Sequence, residues 1–525
     1  MLKPWTVHVG DCRHTLAAMP EESIDAVVTD TPYGLSTLLD PPNLDREALW
    51  KKLMAHNRNR RPLRAYVGDA LDAFLAREAR SPNREEFLDI VDAAERQRII
   101  EGPAIERLFK AWLDTGENPV MKGRGFMGKE WDALVPPPNT WRAVWRVMKP
   151  GAYAFAFGGT RTADLISMSL RFADFEIEDT FSWLYGSGMP KRVRLDLKID
   201  EHFGMKDARP VLGTGRGQGN IPNNRGEWGL KSNTPVEITG AATPEAARFV
   251  GWDRASKPGW EPIIIAVKPL RGTIAETALR YGTGGMNADG CRIPRGYGAG
   301  LGDGTGENIA IDARGGFPAN VILDEEVAAE LDRQSGYLAG RGNVSNGKTA
   351  TIAATPSGYA AGMIRGGAPH QTYDTGGGAS RFFYTAKAST SERDKGLENL
   401  PVLTPGERSG GREEGSAAGR GGEKGRNPHP TVKPISLMQY LVRRACPPGA
   451  WDQDVAKRPV FLDCFMGSGS TGVACMVEGV RFVGCELEAA SAEVARLRLQ
   501  HAYALPREEG EAPPATRDGG QGKLF

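Results

Sequence analysis

The chain has 525 residues, with 66 Lys and Arg against 65 Asp and Glu and a formal net charge of +1. That balance excludes a polycation, so any nucleic-acid surface must be local, and the length allows two to four domains. Six cysteines (Cys12, Cys291, Cys446, Cys464, Cys475, Cys485) lie scattered with no C-x₂-C pair. This excludes a disulfide-dense scaffold and leaves no zinc site to expect.

The start, Met1-Leu2-Lys3-Pro4-Trp5, lacks the apolar segment of a signal peptide, and later apolar runs are strand-sized. The expectation is a soluble cytoplasmic protein without a membrane span. Thr6 to Val9 reads as a strand, followed by Gly10-Asp11-Cys12, a helix through Leu16 to Met19, and the apolar strand Ile24 to Thr29. This is the opening of an α/β sheet. The strand runs into Asp30-Thr31-Pro32-Tyr33: an acid, a rigid turn and an aromatic ring at a strand's carboxyl end, where open α/β sheets place ligands. The acid suits an amino group and the ring a flat heterocycle. From Leu38 to Met121 the pattern turns charged and helical, with a basic run at Asn57 to Arg61 that reads as a solvated face.

The α/β pattern resumes with a helix on Trp141, Val144, Trp145 and Met148, stopped by Lys149-Pro150-Gly151. Strand Ala152 to Phe157, helix Asp164 to Phe172, strand Phe175 to Leu184 and strand Pro262 to Val267 follow. Between them stand Lys191, Arg192 and Arg194, then Arg209, Arg216 and Arg225 among glycines, a frame suited to phosphate and base contacts. From Arg271 to Asn427 the chain is rich in Gly and polar residues, with islands at Phe317 to Leu331 and Ala379 to Ala388. It then becomes compact: helix Ile435 to Ala445, strand Val460 to Asp463, strand Arg481 to Cys485 and helix Ala489 to Ala502.

Between those last strands, Gly467-Ser468-Gly469-Ser470-Thr471-Gly472 satisfies G-x-G-x-x-G, with Glu486 about 20 residues on as a ribose-binding acid. The turn alone serves a dinucleotide or S-adenosyl-L-methionine equally. Asp463 and Phe465 beside it favour the second, because an acid suits an amino group and a sulfonium better than a pyrophosphate.

Taken together, these segments resemble the amino-group DNA methyltransferases in their permuted β-type order, especially phage-type members. Phe461-Leu462-Asp463-Cys464-Phe465-Met466-Gly467-Ser468-Gly469 is similar to the cofactor motif. Asn427-Pro428-His429-Pro430-Thr431-Val432-Lys433-Pro434 is similar to the segment before it, and Gly10-Asp11-Cys12 to the adenine-contacting turn. Asp30-Thr31-Pro32-Tyr33 resembles the catalytic D-P-P-Y, with Thr31 where the family usually has Pro. Arg146 to Gly151, Trp183 to Gly188, Trp260-Glu261-Pro262 and Ala379 to Tyr384 resemble further blocks of the phage-type subgroup.

The resemblance implies a doubly wound α/β sheet of Rossmann-like type, circularly permuted and assembled from both chain ends. Its expected parts are a catalytic half (1–37), a helical insertion (38–121) and the continuing catalytic sheet (122–270, with a loop insertion near 190–260). A Gly-rich target-recognition region (271–426), a cofactor half (427–506) and a disordered tail (507–525) complete it. It implies methyl transfer from S-adenosyl-L-methionine to an exocyclic amine of a base flipped from double-stranded DNA, adenine N6 being favoured by Asp30; the alternatives are cytosine N4, a catalytically weakened DNA-binding homologue and, more remotely, an NAD-dependent oxidoreductase. Asp30, Thr31, Pro32 and Tyr33 would be catalytic. Asp11, Cys12, Thr431, Lys433, Pro434, Asp463, Phe465, Gly467, Ser468, Gly469 and Glu486 would bind the cofactor, and Lys191, Arg192 and Arg194 the DNA. The setting implied is the nucleoid of a bacterial or phage-infected cell.

Overall fold

The computed structural model describes residues 3–34, 71–119 (except 72, 79, 81, 102 and 103), 132–186, 193–216, 235–293 (except 254 and 255), 315–336, 338–339, 342–344, 371–373, 376–386, 391–404, 425–429, 432–450, 452 and 454–504. Lys191, Arg192, Thr431, the basic run at 57–61 and the tail at 507–525 lie outside the described residues. The strands in chain order are β1 (Trp5–Val9), β2 (Ile24–Asp30), β3 (Met148–Phe157), β4 (Glu176–Leu184), β5 (Val211–Arg216), β6 (Pro235–Thr239), β7 (Trp260–Val267), β8 (Val321–Asp324), β9 (Leu338–Ala339), β10 (Gly342–Val344), β11 (Gln371–Tyr373), β12 (Gly376–Gly377), β13 (Tyr384–Ala386), β14 (Val460–Asp463) and β15 (Arg481–Glu486).

Nine of them form one sheet in the order β1-β15-β14-β2-β3-β7-β4-β8-β13. Every pairing is parallel except those of β7, which runs antiparallel to both β3 and β4. The chain's two ends therefore share one sheet, with β14 from the C-terminal part seated against β2 from the start (Phe461 beside Ala26, Leu462 beside Val27). Parallel strands covered on both faces read as unbroken apolar runs. Accordingly Ala26, Val27, Val28, Phe155, Ala156, Phe157, Phe461 and Leu462 are all 0% exposed.

Two compact units divide the chain. The first, Met1–Thr31, Ala143–Ala163 and Asp174–Phe525, holds the sheet. In it, helices Cys12–Ala18, Ile274–Tyr281, Ile435–Ala445, Ser470–Val477 and Ala489–Ala504 pack on the strands. Arg146 ties the C-terminal end of helix Cys12–Ala18 by donating to the carbonyls of Leu16 and Met19. At the sheet edge opposite Asp30, Asp25 accepts from Lys149 at 2.5 Å and from the Val460 amide at 2.8 Å, joining β2, β3 and β14.

The described residues of the second unit, Pro32–Arg142 with Asp164–Ala173, are mainly helical. Helices Arg84–Glu101 and Ala104–Asp114 contribute Phe87, Val91, Leu108 and Trp112 to its core. Phe109, Trp112 and Phe172 meet edge-on or tilted, with centroids 5.6 to 6.3 Å apart.

Three features differ from the sequence reading. The helix before Lys149-Pro150-Gly151 ends at Val147, and β3 begins at Met148 and runs through the Pro and Gly. A register shift against β2 between Ile24 and Ala26, and a left-handed Gly151 (φ +72°), accommodate them. Second, β8 and β13, from the Gly-rich stretch, extend the main sheet.

Third, Arg194 and Arg209 are consumed internally. Arg194 pairs with Asp196 at 2.5 Å. Arg209, 6% exposed, is clamped between Asp196 and Asp200, and Asp200 also accepts from the amides of Ala242 and Thr243. These bonds tie helix Leu195–His202 to the β5–β6 hairpin and leave Leu212, Val250 and Trp252 at the surface (71, 57 and 65% exposed).

Among the described residues no helix is long and apolar enough to cross a membrane.

Candidate active site

The order of the sheet locates the site. From β14 the chain passes outward through β15, while from β2 it passes the other way through β3. The reversal falls between β14 and β2, and a crevice opens outside the carboxyl ends of strands at such a point. Those ends carry Asp463 and Asp30, with Glu486 closing β15 and Gly10 following β1.

Asp30, paired across the ladder with Phe157, has its Oδ2 2.9 Å from Lys433 Nζ. Lys433 is 8% exposed and lies 3.2 Å from Glu261 Oε2, with its ammonium over the Phe157 ring at 4.9 Å. Burial alone would lower the Lys433 pKa. The Asp30 and Glu261 carboxylates outweigh it and hold the ammonium firmly protonated.

Thr31 is buried, and its hydroxyl donates to the Phe157 carbonyl at 2.7 Å. That bond ties the turn to β3 where a second Pro would have fixed it by its ring. Thr31→Val keeps the branched shape and removes the donor. It is expected to cost about 1–2 kcal/mol and to slow turnover several-fold, read from the melting midpoint and the initial rate.

Pro32 and Tyr33 open the helical unit. There the Tyr33 amide donates to the buried Asp132 at 2.7 Å, and Gly34 has φ +62° where a Cβ would meet the Val135 nitrogen at 2.7 Å.

The Gly-rich turn is built to close tolerances. Gly467 and Gly469 are left-handed (φ +53° and +80°). A Cβ on Gly467 would strike His429 at 2.7 Å, and one on Gly469 would strike Ala495 at 2.9 Å. Asp463 is 2% exposed and points into the protein, accepting from Thr29 and Thr471 hydroxyls at 2.6 Å each and from the Phe465 amide at 3.1 Å. Burial pushes its carboxyl up to about 7 against the pull of those donors. The structure thus makes Asp463 the brace between β2, β14 and the turn.

Glu486 accepts from the amides of Gly467 and Glu488 at 2.8 Å each, and burial raises its pKa. Ser468 is buried against Arg498, whose Nη1 donates to the Ser468 carbonyl at 2.7 Å and its hydroxyl at 3.0 Å. Burial lowers the Arg498 pKa to about 10.

Asp11 caps helix Cys12–Ala18 by accepting from the Arg13 amide, and pairs with the Arg13 guanidinium at 2.6 Å. Cys12 is buried, which raises its thiol to about 12. Pro434 precedes helix Ile435–Ala445. The Asn427-to-His429 turn is held by Asp394, which accepts the Asn427 amide at 3.0 Å, and by Arg393, which donates to the His429 carbonyl.

Asp30, Lys433, Asp463, Gly467, Ser468, Gly469 and Glu486 therefore gather at one edge of the sheet, whereas Arg194 is spent in its own module. Glu261 and Arg498 were not expected there. The Glu-Pro at the start of β7 was visible in sequence, but its meaning depends on the strand's reversed direction. Arg498 sits within a helix and carries no local signal.

The donor set suits a nucleoside with an amino-acid tail. Each Glu486 oxygen accepts one amide hydrogen and has capacity for a hydroxyl as well. Nothing lies within 4 Å of a Cβ built on Gly10, so the turn after β1 faces open space.

Comparison with known proteins bears on the same residues. The profile of the DNA methylase family N6_N4_Mtase matches residues 383–496. YubD of Escherichia coli strain K12 is 40% identical over 63 residues, 12% of this chain and 24% of its own. The Type II methyltransferase M2.DpnII of Streptococcus pneumoniae is 35% identical over 78 residues, 15% of this chain and 26% of its own. The chain thus spans about a quarter of the length of these curated relatives. Among solved structures, the cytosine-N4-specific PvuII DNA methyltransferase is similar at 10% identity over 95% of this chain and 87% of its own, with a TM-score of 0.35. The M1.HpyAVI–SAM complex is similar at 11% identity over 69% and 81%, with a TM-score of 0.24. The match to the DNA methylase family thus lies in residues 383–496, which run from β13 across the Gly-rich turn to the last helix.

Proposed function

We propose that the protein transfers a methyl group from S-adenosyl-L-methionine to an exocyclic amine of a base in double-stranded DNA, with adenine N6 the favoured acceptor. One observation carries this reading: Asp30 and the Gly-rich turn stand at the carboxyl ends of adjacent strands at the reversal of strand order. An acceptor for an amine and a seat for a nucleoside then share one crevice.

When bound, S-adenosyl-L-methionine would supply an electrophilic methyl on a sulfonium, with a neutral thioether as its leaving group. The protein's part is positioning and electrostatics. An aromatic amine is a poor nucleophile because its lone pair is delocalised into the ring. Asp30 and the carbonyl of the Thr31–Pro32 peptide would accept its two N–H bonds, drawing the nitrogen toward tetrahedral geometry. Tyr33 would lie against the flipped base. Glu486 would hold the ribose hydroxyls, and Phe465 and the turn after β1 would flank the adenine.

Target recognition is assigned to residues 190–425. Among its described residues Arg194 and Arg209 are neutralised by Asp196 and Asp200. Contact by the described part of that region would therefore rest on other groups, such as the exposed Leu212 and Trp252.

The test is incubation of unmethylated DNA with tritiated S-adenosyl-L-methionine, followed by mass analysis of the digested nucleosides. N6-methyladenine is expected. N4-methylcytosine would move the choice of base, and no labelled nucleoside would defeat the reading.

A further inference from the structure

β7 is the strand of the large sheet that runs against both its neighbours. Its first residues therefore reach the edge where β3 and β4 end, and Glu261 arrives opposite Trp183 there. The result is a row of three charges, Glu261, Lys433 and Asp30, with one ammonium 3.2 Å from the first carboxylate and 2.9 Å from the second. Side-chain exposures of 20, 8 and 21% keep the row largely out of water, so the charges act on one another strongly.

An isolated Lys433–Asp30 pair would be neutral. Its ammonium would compete with any incoming amine for the same carboxylate lone pairs. With Glu261 taking part of that ammonium's hydrogen bonding, the row keeps one net negative charge.

We propose that Glu261 is a positioning residue for methyl transfer: through Lys433 it fixes the Asp30 carboxylate and keeps the row negative, so that Asp30 accepts from the donor amine. The inference rests on the reading of Asp30 as the amine acceptor and adds the group that sustains it.

The test uses the full chain and four variants: Asp30→Ala, Glu261→Gln, Glu261→Asp and Glu261→Gln with Lys433→Met. For each, kcat is measured at saturating cofactor on unmethylated DNA, with cofactor Kd by calorimetry and the melting midpoint. Glu261→Gln should lower kcat roughly tenfold, the scale of one charge-assisted partner, with Kd and midpoint near wild type. Glu261→Asp should recover most of the loss, and removing Lys433 as well should raise kcat above that of Glu261→Gln. Wild-type kcat in Glu261→Gln beside an inactive Asp30→Ala overturns the inference and leaves the role of Asp30 standing. A double variant no faster than Glu261→Gln, or losses of kcat, Kd and midpoint together, also overturns it by making the role structural. An active Asp30→Ala defeats the parent reading instead.

Discussion

Asp30→Ala is expected to lower methyl transfer by about 10³-fold while leaving cofactor binding nearly intact, since a single preorganised polar partner at a reacting centre is worth about 10²–10³ in kcat. The substitution removes the carboxylate that meets the amine, and it strands Lys433 in a buried position with Glu261 as its remaining carboxylate among the contacts above. Stranding a charge costs stability as well as rate, so the two must be separated. Asp30→Asn does this. It keeps an oxygen toward the ammonium and the shape of the strand end but replaces the anion. Folding should be retained and the rate should still fall steeply. Measured as tritium transfer at saturating cofactor, with Kd by calorimetry, a rate within about threefold of wild type in either variant would remove Asp30 from the chemistry. A rate loss matched by an equal loss of cofactor affinity would make it a binding residue.

The central strands were legible because parallel strands covered on both faces read as apolar runs, as Ala26 to Val28 and Val460 to Leu462 do. The Gly-rich turn was legible for a different reason. Left-handed backbone at Gly467 and Gly469, and the clash a Cβ would meet on His429 or Ala495, admit little else. Strand direction was not legible. Pro262 to Val267 reads the same either way, so Glu261 could not be assigned to the catalytic edge. Short strands such as β8 and β13 were hidden because four or three residues give too little periodicity to stand out in a Gly-rich stretch. Charge was the least readable property. Arg209 looks like a loop cation in sequence, yet Asp196 and Asp200, thirteen and nine residues upstream, bury it completely enough to make it a structural rivet. Asp463 looks like a ligand acid, yet two threonines from separate elements turn it inward.

That inward turn has a consequence for stability against pH. Asp463 is pushed up to about 7 from an ordinary 3.8, burial being the main cause, with the Asp30 charge adding to it and three hydrogen-bond donors opposing. Between about pH 4 and pH 7 the folded protein holds a proton here that the unfolded chain has released, so stability falls as pH rises through this window and levels off above it. The full effect is on the order of 4 kcal/mol. Asp463→Asn does not titrate. Its carbonyl oxygen can accept from Thr29 and from the Phe465 amide, and its NH₂ can donate to Thr471, whose hydroxyl rotates to suit. The variant should therefore gain on the wild type as pH rises, the difference between their urea midpoints moving steadily toward the variant from about pH 5 to about pH 8 and then holding constant. Parallel midpoints across that range would show that Asp463 is ionised throughout. The same variant separates stability from function: a carboxylate kept buried at an energetic cost beside the turn is worth keeping if its charge serves a cationic ligand. At about pH 8 Asp463→Asn should bind S-adenosyl-L-methionine more weakly than wild type does, and lose less affinity for the uncharged thioether product.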